Sequence, residues 1–138
     1  RPRREDRVFC VRLGDIEDEG LTWRAEIANL WGAELFLSIH ANSFSDAAAH
    51  GTEVYHYPDS PGGIRLARSV QSRIIRSLHT ADRGVKPAAF TVLTATDCPA
   101  VLVETAFLSN AADRALLTDP ARQADFAMAI AAALGGQN

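Results

Sequence analysis

The sequence predicts an α/β fold: a single mostly parallel or mixed sheet with helices on both faces, an αβα sandwich. Three observations predict it. Leu35–Ile39 and Ala100–Val103 are apolar runs of strand length, and a polar residue closes each, His40 and Glu104. Ile64, Ala67, Val70, Ile74 and Leu78 recur at i, i+3 and i+4, with Arg65, Arg68, Arg73 and Arg76 between them, as in a helix packed on one side. Strand-like and helix-like segments then alternate along the chain in the order β-α-β-β-α-β-β-α-α, which suits a sheet covered by helices.

In chain order, Val8–Leu13 reads as a strand, and the acidic stretch from Gly14 to Gly20 as a loop. Thr22 is placed to cap a helix over Trp23–Leu30, with Gly32 as its stop and Trp23, Ile27 and Leu30 as its apolar face. After the strand at 35–39, Gly51–Tyr57 alternates: Thr52, Val54 and His56 fall on one side, Glu53, Tyr55 and Tyr57 on the other. Ser60 and Pro61 start the long helix as cap and first-turn residue. Asp82–Pro87 reads as a turn-rich connection and Phe90–Leu93 as a short strand. Asn110 and Asp119 are helix caps, the second followed by Pro120 and an alanine-rich helix that ends at Gly135-Gly136.

The chain has 138 residues, the size of one domain, 1–138, with the composition of an ordinary globular protein. Its net charge of −3 argues against nucleic-acid binding, despite the basic cluster Arg1, Arg3, Arg4. No apolar run is long enough for a membrane span. Cys10 and Cys98 are too few for a disulfide framework and match no zinc spacing. Cys10, in the run Val8-Phe9-Cys10-Val11, reads as a small buried hydrophobe. A bridge between the two stays open. No serine lies in a Gly-x-Ser-x-Gly elbow.

The stretches LFLSIHAN and CPAVLVETAFLSNAADRALL place an imidazole and a carboxylate after two buried strands, where open α/β sheets offer a crevice to ligands. Together they resemble the zinc-dependent N-acetylmuramoyl-L-alanine amidases of bacterial peptidoglycan. The likeness extends through LTWRAEIANLWGAELF, HGTEVYHY and DRGVKPAAFTVL, and so over nearly the whole chain. It implies His40 as a zinc ligand and Glu104 as the general base. It also implies an extracytoplasmic or phage-delivered protein with peptidoglycan as its partner, and a buried arginine at Arg24. Asn42 and Arg83 are weaker candidates for substrate contact: Asn42 suits a loop-fixing role, and Arg83 an ion pair with the neighbouring loop. His50, His56 and His79 fall outside the family's ligand positions.

One departure stands out. The family's two other zinc ligands are a histidine in Asp-Pro-Gly-His-Gly-Gly and a glutamate on the next helix, and both precede the strand matched by Val8–Leu13. Neither motif is present here, so the expectation is a catalytic domain lacking the family's N-terminal strand and helix. A zinc amidase is therefore weighed against a non-catalytic wall-binding or regulatory domain.

Overall fold

A computed structural model describes residues 7–11 and 20–135. The elements are α1 (Leu21–Trp31), β1 (Phe36–Asn42), β2 (Thr52–His56), α2 (Pro61–Leu78), β3 (Asp82–Pro87), α3 (Thr91–Thr94), β4 (Ala100–Phe107), α4 (Ala111–Leu117) and α5 (Pro120–Leu134). The strands form one mixed sheet in the order β1-β4-β2-β3. The outer pairs β1–β4 and β2–β3 are parallel, and the central pair β4–β2 is antiparallel. Helix α2 makes the crossover that a parallel β2–β3 pair requires.

Period-two alternation sends successive side chains of each strand to opposite faces, and helices cover both. On one face, Val54, Val101 and Val103 pack against Leu66, Val70 and Ile74 of α2 and Phe126, Ala129 and Ile130 of α5. On the other, Phe36, Ala100 and Leu102 meet Ala28 of α1 and Val92 and Leu93 of α3. This second cover lies over the beginnings of β1 and β4. Farther along the same face come Ser38, His40 and Glu104, and there His40 is exposed and Glu104 half-buried.

Local chemistry accounts for most boundaries. Ser60 caps α2, its Oγ accepting from the Gly63 backbone N–H at 3.1 Å. Asn110 and Asp119 cap α4 and α5 in the same manner. Gly32 closes α1 in the left-handed region, its N–H bonded to carbonyls of the last turn. Arg65, Arg68, Arg73 and Arg76 lie on the solvent side of α2.

Several expectations are corrected. Residues 8–11 form no strand, and 12 and 13 lie outside the described residues. No described strand pairs with this segment; Phe9 instead stacks on Trp31 at 5.5 Å, and Cys10 is exposed rather than buried. Both cysteines are free thiols. Helix α1 begins one residue before Thr22, without a side-chain cap. Its buried side is Ala25 and Ala28, because small residues let the helix lie close on the sheet, and Leu30 faces solvent.

Asp82–Pro87 is a strand, not a connection. Its turn residues serve a β-bulge: Asp82 accepts from the Gly84 N–H at 2.9 Å, Gly84 has φ 80°, and the β2–β3 register shifts at this point. Thr91–Thr94 is a helical turn where the apolar run suggested a strand, an ambiguity inherent in short apolar runs. His56 is buried, with Nδ1 on the Tyr57 carbonyl.

Strand β4 also continues beyond Glu104 to Phe107, and β1 beyond His40 to Asn42. Both residues therefore lie on the open part of a sheet face, not at a strand terminus. Thr105-Ala106-Phe107 carries the strand on across a register shift opposite His40–Asn42, and Asp113 ties its end down: Asp113 Oδ2 accepts from the Phe107 N–H at 2.9 Å and from the Gly51 N–H at 2.8 Å.

Candidate active site

Three strands place three titratable side chains in one row. His40 of β1 is in register with Glu104 of β4, and Glu104 is in register with Glu53 of β2. Neighbouring strands lie about 4.8 Å apart, so each side chain stands beside the next. The sequence singled out His40 and Glu104. Glu53 it left unmarked.

The two carboxylates differ in their surroundings. Glu53 is 4% exposed and has a full set of donors. Asn42 Nδ2 and Tyr55 OH donate to its Oε1 at 2.9 and 3.0 Å. Arg83 Nε donates to Oε2 at 3.3 Å, and the Lys86 ammonium to the same oxygen. Burial pushes this carboxyl up, but the bonds from Lys86, Tyr55 and Arg83 outweigh it, and Glu53 is held below its usual range. Burial and the Glu53 charge push the Tyr55 phenol up to about 12, which keeps it a donor.

Glu104 has no such company. Its Oε2 is buried without a hydrogen-bond partner among the described residues. Burial, followed by the negative charge of Glu53, pushes its carboxyl up to about 7. Such a group can accept and return a proton near neutral pH.

His40 Nε2 lies 2.7 Å from Ser38 Oγ, and its backbone carbonyl accepts from Thr105 Oγ1 at 2.8 Å, which locks β1 to β4 beside the row. Asn42 and Arg83 both reach the site, but as donors to Glu53. The guanidinium of Arg83 also lies over the Phe107 ring, 4.9 Å from its centroid. Ser109 and Asn110 hold the 43–49 loop through the Phe44 N–H and the Ala47 carbonyl. His56 projects to the opposite face, His50 bonds the Ala48 carbonyl, and His79 closes α2. Arg24 is half-buried on α1.

A catalytic zinc takes three protein ligands and a water. Among the described residues, no three His, Cys, Asp or Glu side chains are grouped to hold a metal ion. His40 and Glu104 come together, and Glu53, the next carboxylate, already has both oxygens engaged by donors. The described residues alone therefore do not fit a zinc ion.

The sequence profile of the N-acetylmuramoyl-L-alanine amidase family matches residues 3–135. The chain belongs to that family. It is 43% identical over 99 residues to the N-acetylmuramoyl-L-alanine amidase LytC of Bacillus subtilis, a match covering 67% of this chain and 20% of LytC. A sporulation-specific N-acetylmuramoyl-L-alanine amidase of the same organism is 41% identical over 91 residues, covering 65% of this chain and 34% of that protein. Among solved structures, the catalytic domain of the amidase CwlV from Bacillus (Paenibacillus) polymyxa superposes with a TM-score of 0.78 at 34% identity, covering 83% of this chain and 63% of that one. The amidase AmiC2 of Nostoc punctiforme gives a TM-score of 0.78 at 35% identity, with the same coverage. The chain thus spans a fifth to a third of these two curated relatives and under two thirds of the two solved domains.

Proposed function

We propose that this chain carries the larger part of a catalytic domain that hydrolyses the amide bond between N-acetylmuramic acid and L-alanine in peptidoglycan. The observation that supports this most directly is the uncompensated Glu104 carboxyl, in register with His40 on an open sheet face. Amide hydrolysis needs a group that removes a proton from attacking water and delivers one to the departing amine. A carboxyl pushed up to about 7 can do both at neutral pH. The row Glu104–Glu53 offers one such group and one that stays charged; in this reading Glu104 moves the proton, and Glu53 fixes the groove floor through Asn42, Arg83, Tyr55 and Lys86. Asn42 and Arg83 then act on substrate through that floor.

The family's zinc would add a Lewis acid, with His40 as one of its ligands and the others from outside the described residues. The substrate places the activity outside the cytoplasm, at the cell wall. No described helix is long and apolar enough to cross a membrane.

The test, on the full-length protein, is release of peptide from purified peptidoglycan, together with metal content, for wild type, Glu104→Gln, His40→Ala and Ser38→Ala. Loss of release in Glu104→Gln with metal retained, and loss of both in His40→Ala, is the expected result. Binding of peptidoglycan without any release in wild type would replace the enzyme by a wall-binding domain. Loss of release in Ser38→Ala alone would move the chemistry to the Ser38–His40 pair, whose contact is that of a nucleophile and its base.

A further inference from the structure

Around Glu53 the charges do not balance. The carboxylate brings one negative charge, and Arg83 and Lys86 bring two positive ones. The Glu53 side chain is 5% exposed against 36% and 40% for Arg83 and Lys86, so the cations form the layer that meets solvent. Arg83 is anchored at three points: Nε on Glu53, Nη1 on the His50 carbonyl at 3.4 Å, and its plane over Phe107. Lys86 has a single anchor. Glu53 is its one hydrogen-bond partner among the described residues, and an ammonium has three N–H donors.

Lys86 is in register with Tyr55, on the sheet face that carries Glu53 and Glu104. The half-exposed ring of Phe90 lies edge-on to Tyr55, with centroids 5.1 Å apart. An exposed cation held in place by a buried carboxylate, with an aromatic wall alongside, suits a ligand that carries a carboxylate next to small apolar groups.

We propose that the Lys86 ammonium, seated on Glu53 beside Glu104, is a specificity-determining contact for a carboxylate on the peptide arm of the substrate. This rests on the amidase reading above, since the peptide arm of peptidoglycan is what brings free carboxylates to the groove. The buried Glu53 keeps the ammonium from swinging away, so little side-chain freedom is lost on binding. A carboxamide in place of the carboxylate forfeits the charge-assisted bond, a difference of about tenfold in affinity.

The experiment titrates two muramoyl peptides into the chain, identical except for a carboxylate or a carboxamide on the residue after L-alanine, and reads binding by calorimetry. Wild type should favour the carboxylate about tenfold, Lys86→Arg should keep the preference, and Lys86→Met should lose it. Salt should weaken binding of the acid peptide and spare the amide, a readout in wild type that does not depend on the fold of any variant. Equal binding of the two peptides by wild type, a preference retained in Lys86→Met, or no binding of either peptide would overturn the inference. Turnover on the full-length protein is measured separately: hydrolysis without a carboxylate preference sinks this contact alone, whereas a preference without hydrolysis sinks the amidase reading alone.

Discussion

Glu53 and Glu104 face each other across the antiparallel β2–β4 pair, and only Glu53 has donors on both oxygens. Two like charges side by side cannot both be ionised cheaply, so the protein resolves the conflict by solvating one with its own side chains. The other is left to hold a proton near neutral pH. The row is thereby divided into a fixed charge and a titrating one.

Replacing Glu104 with Gln in the full-length protein should lower kcat by about 10²-fold or more without weakening the fold, because the amide keeps the shape but cannot accept a proton. Peptide release and thermal unfolding on the same preparations check both halves. Wild-type turnover in the variant would remove Glu104 from the mechanism.

The same substitution should change how stability depends on pH. The Glu104 carboxyl is raised from 4.5 to about 7 on folding, so the folded state binds its proton more tightly. Its contribution is therefore fully present below pH 4.5 and is lost as pH rises through about 7. For a half-buried group this is worth about 1 kcal/mol after solvent screening. Glu53 works the opposite way: its lowered carboxyl contributes stability above 4.5 that is lost as pH falls. Denaturant midpoints between pH 4 and 8 should show a decline toward pH 8 in wild type that is absent from Glu104→Gln.

Glu53→Ala should destabilise the fold by about 2 kcal/mol, since it strands Arg83 and Lys86 over a buried gap, with both partners exposed enough to recover part of their solvation. Urea unfolding gives the number. A change within about 0.5 kcal/mol would mean that the network contributes little to stability.

At Asp113, substitution by Ala orphans the backbone N–H groups of Gly51 and Phe107, both bonded to Oδ2. Buried unsatisfied donors cost about 1–3 kcal/mol each, so a loss of about 2–4 kcal/mol is expected. Hydrogen exchange at those two amides should accelerate first. Asp113→Asn should recover part of the loss, because the side-chain carbonyl can still accept.

Gly51→Ala should cost about 2 kcal/mol or more: φ is 109°, and a Cβ there runs into the Ala81 carbonyl. The readout is thermal unfolding, with Gly84→Ala as the control for backbone strain alone, since nothing crowds Gly84.

Much of the fold was legible because local signals carry it. Ser60, Asn110 and Asp119 cap where their side chains predict, and the alternation of 51–57 correctly separates Val54 from Glu53 and Tyr55. What was lost depended on partners distant in the chain. Asp82 and Gly84 read as a turn, because nothing local reveals that β2 lies alongside to make them a bulge. Half of the site was hidden for the same reason. His40 and Glu104 each end an apolar run, whereas Glu53 is one polar residue in an alternating strand, and Lys86 one cation in a polar stretch. Their meaning comes from strand order, which puts β2 next to β4 and β3 next to β2. The Tyr55–Glu53 alternation was the available signal, and it placed both on one face without saying which neighbour that face would meet.

Strand β1 lies at the rim of the sheet, and among the described residues its outer backbone groups have no strand partner. Ile39 on this strand is 57% exposed, and Leu30 and Trp31 of α1 also show apolar surface. Bare ladder groups next to greasy side chains are a template for another β-segment to add on. At high concentration the isolated chain should therefore be prone to sheet-to-sheet self-association and poor solubility. A single lysine in place of Ile39, putting a charge on the exposed stretch of this rim strand, is the economical remedy for anyone producing it.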